Sequence, residues 1–348
     1  MDNHRRYFNI IKKLNLQDEE AINEALKRKG FYSASETFPI SSLHFELTSH
    51  CNAFCKHCYN NSGIDNKCLD AMTPEKWILF SKYLVEKGGV FECLLSGGEP
   101  FLLGEKLFEV MDVLHNDGTI FLLMTNGYLL TEQMAKKLKK YQYHWLQISI
   151  DGAVAKYHDS FRQMEGSWDR AVRAAFSVSN NGIPLKIAHC VTPYNLKDID
   201  KMCALAHSLG ASSIMIGGIS FSGRTAENTE LLLSNSEKKI LYDKIEENRI
   251  RYRGSMSVKS TNSVISGLKK HAKRPRSAAV IRPNGDIRID GMAPFVIGNI
   301  LKDDFAEIWE DKIDDCWNNI KVQEFISNFD RNDRNNRFIN YLEDDVYI

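Results

Sequence analysis

The sequence predicts an α/β protein: a parallel sheet curved into a partial (β/α)6 TIM-like barrel, with a short N-terminal helical extension and a small α+β C-terminal domain. Three observations predict it. Six short apolar runs alternate with helical patterns between residues 42 and 218. The runs are continuous rather than alternating, as in parallel strands covered on both faces. The helical stretches between them begin and end on readable signals.

In chain order, residues 1–40 read as two short amphipathic helices, with Tyr7, Phe8, Ile11 and Leu14 on one face and Ile22, Ala25 and Leu26 on another. Too small to fold alone, they form a cap or docking element. The core, residues 41–228, carries the strands "SLHFEL" (42–47), "ECLLS" (92–96), "TIFLLMT" (119–125), "WLQISI" (145–150), "LKIAHCV" (185–191) and "SIMIGG" (213–218). Thr73 is the expected N-cap of the first helix, with Pro74 at its first position. Thr131 is expected to cap "EQMAKKLKKY" and Ser167 to cap "WDRAVRAAFSVSN". Gly88, Gly182 and Gly210 stand where helical stretches end.

Residues 229–348 change pattern. A charged amphipathic helix starts near Ser234, and "AAVIRPNGDIRID" (278–290) reads as a β-hairpin turning at Pro283-Asn284-Gly285. "DDFAEIWED" and "CWNNIKVQEFISNF" read as closing helices, and the polar tail "DRNDRNNRF" as loose chain.

Composition removes several classes of function. Lys+Arg and Asp+Glu number 45 each, so no net field draws nucleic acid or an anionic membrane. No apolar run approaches the roughly 20 residues a membrane span requires. The start, "MDNHRRYFNIIKKLNLQDEE", has no uninterrupted apolar core and is not a secretory signal, so a cytoplasmic protein is expected. Eight cysteines in 348 residues are too few for a disulfide framework, and those that cluster point to metal or catalysis.

They cluster in "ELTSHCNAFCKHCYNNSG" (46–63), where Cys51, Cys55 and Cys58 fall within eight positions just after the first strand. Three thiolates from one loop can ligate three irons of a cubane cluster and leave the fourth iron open. A structural zinc would need a fourth ligand. His57 adjoins Cys58 and would fold back onto the same ion with difficulty, whereas Cys68 is available. "LLSGGEPFLL" follows the second strand and sets Gly97, Gly98, Glu99 and Pro100 at its end, where glycines allow close approach and a carboxylate can accept from an ammonium.

Cys51-x3-Cys55-x2-Cys58 followed by Gly-Gly-Glu-Pro in a six-unit α/β core resembles the radical S-adenosylmethionine superfamily. The resemblance implies one [4Fe–4S] cluster on the three cysteines, with S-adenosylmethionine chelating the open iron. Gly97, Gly98, Glu99 and Pro100 would bind its amino group. By the same resemblance Asn126 in "TNGYLL" would meet the cofactor, Ser149 and Asp151 would face its ribose and carboxylate, and Arg162 would pair with that carboxylate. "VTPYN" (191–195) and "IMIGGIS" (214–220) would form the adenine end. Reductive cleavage would yield a 5′-deoxyadenosyl radical that abstracts hydrogen from a C–H bond, with a flavodoxin- or ferredoxin-type electron donor.

"ISFSGRTAEN" together with "IRPNGDIRIDGMAPFVIGNILKDDFAEIW" resembles a branch with a C-terminal SPASM or twitch domain, whose members modify ribosomal peptides or proteins. Those domains carry auxiliary clusters, but here Cys316 is the only cysteine after Cys203. The expectation is a shell without its metal, which gives weight to redox-neutral chemistry such as epimerisation, rearrangement or radical addition. Crosslinking of a peptide, an oxidation, would need the first cluster to take an electron back. Epimerisation would need a hydrogen donor, and Cys316 is the candidate, against a plain packing role beside Trp317. Cys68, Cys93, Cys190 and Cys203 read as small buried hydrophobes. Leader recognition would fall to residues 1–40 or to a separate leader-binding protein, or be absent. Two alternatives stand beside the peptide reading: a small-molecule substrate such as a sugar or aminocyclitol, and a non-catalytic binding module held together by zinc or a cluster.

Overall fold

The computed structural model describes residues 40–63, 70–261, 264–329 and 345–348. The expected N-terminal helices, Cys68 and the polar tail lie outside them. A single eleven-stranded sheet runs through the described chain. Strands β1 (Ile40–Glu46), β2 (Val90–Ser96), β3 (Ile120–Thr125), β4 (Tyr143–Ser149), β5 (Leu185–Val191) and β6 (Ser213–Gly218) are neighbours in that order, all parallel. These are the six strands expected, β5 and β6 with the bounds read from sequence. The sheet does not break at residue 228, because β7 (Ser257–Ser260) continues it in parallel beyond β6.

At the other side, β8 (Ala279–Ile281) pairs in parallel with β1 and turns through the expected hairpin into β9 (Asp286–Arg288). Gly285 in that turn has φ +90°, a conformation that favours glycine. Strands β10 (Phe295–Asn299) and β11 (Val346–Tyr347) complete the edge.

The described helices are α1 (Pro74–Glu86), α2 (Glu105–Asn116), α3 (Glu132–Leu138), α4 (Ala155–Arg162), α5 (Ser167–Asn180), α6 (Ile199–Ser208), α7 (Asn235–Arg251), α8 (Val264–Ala272), α9 (Phe305–Asp311) and α10 (Ile320–Phe329). Thr73 and Thr131 cap α1 and α3 as expected, each side chain accepting from the backbone N–H three residues on. Ser234 caps α7 in a reciprocal box with Glu237. Ser167 departs from expectation. Gly166 precedes the helix at φ +71°, and Asp159 from α4 caps it, accepting from Gly166 N (2.9 Å), Ser167 Oγ (2.8 Å) and Trp168 N (2.8 Å). A carboxylate delivered from the preceding helix has displaced the local hydroxyl, which a local pattern cannot show.

The second departure concerns the strands' two faces. Along β2 to β5, residues alternate between fully buried and half-buried. Cys93, Leu95, Phe121, Leu123, Leu146, Ile148 and Ile187 pack under the helices. Leu94, Leu122, Met124, Gln147, Ser149, Ala188 and Cys190, on the opposite face, are only half-buried by the described residues. One face is therefore core and the other lines an open lumen. The runs read as continuous because the lumen is itself largely apolar, as ligand cavities are.

The C-terminal segment is fastened to the start of the barrel. Phe305 of α9 meets Phe80 of α1 edge-on at 5.4 Å between centroids. Tyr83 Oη donates to Asp304 Oδ1 (2.6 Å) and accepts from Ala306 N (3.0 Å). Arg282 in the hairpin turn pairs with Glu46 at the end of β1 (3.3 Å) and with Asp345 (2.8 Å).

Candidate active site

The C-terminal ends of β1 to β6 converge on the cysteine loop, which has no helix or strand of its own. Cys51 and Cys55 are buried with Ala53 in a small apolar cluster separate from the main core, and Cys58 and Met164 pack against it. Each sulfur meets an N–H. Ala53 N (3.5 Å) and Asn126 Nδ2 (3.7 Å) donate to Cys51 Sγ, Arg162 Nη1 (3.9 Å) to Cys55 Sγ, and Ser62 N (3.3 Å) to Cys58 Sγ. Burial pushes the thiols of Cys51 and Cys55 up to about 12 and about 11. Buried sulfurs ringed by N–H donors suit metal-bound thiolates. Without metal, the same burial keeps Cys51 and Cys55 protonated.

The Gly-Gly-Glu-Pro loop lies directly against the cysteine loop. Gly98 N donates to Thr48 O (2.6 Å) and Glu99 N to His50 O (3.0 Å). Gly97 sits at φ +132°, and a Cβ on Gly98 would overlap the His50 carbonyl. The glycines thus make room for the chain's own backbone, which the sequence reasoning assigned to ligand approach. The Glu99 side chain is fully buried and accepts from Thr125 Oγ1 (2.6 Å), Asn126 N (2.8 Å) and Phe101 N (3.2 Å). Burial raises its pKa, partly offset by those donors. Asn126 relays the connection, donating through Nδ2 to Asn52 Oδ1 (2.8 Å).

Asp151 and Arg162, expected to meet the cofactor separately, are bonded to each other. Arg162 donates to Asp151 Oδ2 through Nε (2.9 Å) and Nη2 (2.7 Å). Asp151 Oδ1 accepts from Cys190 N (2.8 Å). Burial would raise the Asp151 carboxyl, but Arg162 outweighs it and holds the group well below the usual carboxylate range. His57 stacks on Phe161 at 4.2 Å between centroids, with Nε2 3.7 Å from Asp151 Oδ2. Burial lowers it to about 4, so it is neutral at physiological pH. Ser149 is half-buried on the lumen face of β4, paired in register with Ala188.

Cys190 departs from its expected place, whereas Cys316 takes one of the two roles expected of it. Cys316 is packed in the main hydrophobic core, where its thiol donates to Ile313 O (3.1 Å) and burial pushes it up to about 12. The packing role prevails, since a hydrogen donor must reach the substrate. Cys190 is not a core hydrophobe as expected; it faces the lumen at the end of β5, its Sγ within 4.8 Å of the ligand atoms of His57 and Asp151. Cys93 and Cys203 are core residues as expected.

Two further residues went unrecognised. Asn195 of "VTPYN" ties the ends of β4 and β5 through Nδ2 to Asp151 O (3.0 Å) and Cys190 O (2.9 Å). Arg224 reaches the cysteine loop from the run "ISFSGRTAEN", which sequence reasoning singled out for its resemblance to the SPASM or twitch branch and not for a role at the site.

Residues 45–206 match the family description "Radical SAM superfamily". The chain is 32% identical over 288 residues to the mycofactocin maturase MftC of Mycolicibacterium smegmatis, covering 77% of this chain and 69% of that one. It is 28% identical over 291 residues to an AdoMet-dependent heme synthase of Methanosarcina barkeri, covering 77% and 81%. Among solved structures, Streptococcus suis SuiB bound to its precursor peptide SuiA superposes with TM-score 0.62 at 14% identity, over 88% of this chain and 68% of that one. Among the described residues, no helix is long and apolar enough to cross a membrane. Sequence motif, sheet order and relatives agree: the chain is an enzyme of the radical SAM superfamily, which works with a [4Fe–4S] cluster and S-adenosylmethionine.

Proposed function

We propose that this enzyme modifies a ribosomally made peptide by taking hydrogen from one of its C–H bonds. The observation that carries this reading is the 32% identity to the mycofactocin maturase MftC across 77% of the chain, beside 25% identity to a PqqA peptide cyclase across 69%. Cys51, Cys55 and Cys58 would hold the cluster, and the Gly97–Pro100 loop, Asn126 and Ser149 would line the place for S-adenosylmethionine. Bound together, the two cofactors supply a carbon-centred radical able to abstract an unactivated hydrogen. The chain's own residues position and exclude. Glu99 fixes Thr125 and Asn126, Asp151 holds Arg162 against Cys55, and the half-buried apolar lumen of β2 to β5 takes the substrate away from water. The absence of four further thiolates after residue 203 favours a redox-neutral outcome, with a flavodoxin- or ferredoxin-type protein supplying electrons.

The test is anaerobic reconstitution with a reductant, S-adenosylmethionine and synthetic peptides from short reading frames sought beside the gene. The expected result is 5′-deoxyadenosine formation stimulated by the peptide, together with a peptide changed in mass or labelled from heavy water. The relationship to a heme synthase favours a small-molecule substrate as the second reading. Stimulation by a porphyrin or a sugar and not by the peptide would select it.

Glu99→Gln turns one of its oxygens into a donor facing N–H and O–H donors, so the loop beneath the cofactor loses a charged acceptor. A hydrogen bond to a charged group is worth ~1.5–3 kcal/mol. Affinity for S-adenosylmethionine is expected to fall about 10–100-fold by calorimetry, while iron content stays at the wild-type value because the cysteines are untouched.

A further inference from the structure

The cysteine loop has no regular secondary structure, so its backbone acceptors need partners from elsewhere. Much of that partnership comes from residues 222–228, which follow β6. Ser222 Oγ donates to Tyr59 O (3.0 Å), Arg224 N to Cys58 O (3.0 Å) and Asn228 Nδ2 to Lys56 O (3.3 Å). The Arg224 guanidinium donates through Nε to Cys55 O (2.7 Å), through Nη2 to Ser62 O (2.7 Å) and through Nη1 to Asn61 Oδ1 (3.2 Å). It lies 3.9 Å from the Phe54 ring centroid. Gly223 stands at φ +54°, and a Cβ there would overlap the Cys58 carbonyl. The strands β1 and β6 are not neighbours in the sheet, so these contacts bridge the mouth of the barrel.

Arg224 is also electrostatically unusual. It is 4% exposed, yet among the described residues it has no carboxylate partner; all of its guanidinium bonds go to neutral oxygens. A buried cation without a counter-charge is costly. Three thiolates around an iron–sulfur cluster would supply negative charge next to it.

We propose that Arg224 is a positioning residue for the iron–sulfur site: it sets the backbone path that brings Cys55 and Cys58 together and offsets the charge those sulfurs carry once metal is bound. Two consequences follow from its geometry. A lysine keeps the charge but cannot fork to three acceptors. A glutamine loses both.

The test compares Arg224→Lys and Arg224→Gln with wild type after anaerobic reconstitution, reading iron retained through gel filtration, the cluster's reduction potential, and hydrogen exchange of residues 51–63 in the metal-free protein. Leu84→Ala, a core change in α1, controls for loss of stability alone. In the lysine variant, iron affinity is expected to fall about 10–100-fold, the range for residues supporting metal ligands, with faster exchange in the loop and a potential near wild type. In the glutamine variant the retained cluster should also shift to a more negative potential, since positive charge nearby favours the reduced form. Should the glutamine variant fail to fold, the lysine variant decides by iron retention and loop exchange. Wild-type iron retention in Arg224→Lys would overturn the positioning role, as would equal iron loss in Leu84→Ala. An unchanged potential in a folded Arg224→Gln would overturn the charge role.

Discussion

Cys55→Ala is expected to purify without the brown absorbance of an iron–sulfur cluster and to form no 5′-deoxyadenosine above background. Wild type should hold about four irons per chain after reconstitution. The effect should be complete because a cubane site with two thiolates cannot replace the third from this loop. His57, the nearest other ligand type, is stacked on Phe161 and turned toward Asp151. Iron quantification and the cleavage assay check it together. Retained cleavage would defeat the assignment of the cofactor site. About eight irons in wild type would instead show a second cluster that the cysteines after residue 203 do not predict.

Asp151→Ala should give the largest loss of stability among changes near the site. Arg162 would remain buried with its charge uncompensated, and the N–H of Cys190 would lose its acceptor. Breaking a buried pair from one side costs ~3–5 kcal/mol, measurable by chemical denaturation of the metal-free protein. Asp151→Asn supplies the pH arm. The folded-state pKa of Asp151 is depressed, so its contribution is fully present above the unfolded value and is lost as pH falls through the folded one. The stability gap between wild type and Asp151→Asn should therefore be flat through neutral pH and close only in acid, well below about pH 4. A gap that opened near pH 6 would point to a histidine and remove Asp151 from the explanation.

Legibility differed from element to element for physical reasons. The caps at Thr73 and Thr131 were readable because a hydroxyl bonds an N–H three residues away, a purely local event. Ser167 failed by the same logic, since its helix is capped by Asp159 from the helix before. The pairing of Asp151 with Arg162 spans eleven positions and depends on how α4 folds back over β4. Each residue was singled out from sequence, but their mutual bond was not. Cys190 and Cys316 are the clearest case. Nothing in the residues around them shows that one faces the lumen and the other the core.

What the sequence determined by itself is the parallel α/β core and the chemistry at its mouth. Strand propensity, turn residues and the spacing of Cys51, Cys55 and Cys58 are local properties, and three thiolates on one loop already restrict the metal that fits. The tertiary structure decided which face of each strand lines the lumen, that the hairpin joins the main sheet beside β1, and that the segment after β6 holds the cysteine loop. Arg224 lies 169 residues from Cys55. Loop carbonyls are satisfied by whatever donor the folded chain brings within 3 Å or so, and no short-range pattern records which donor that will be.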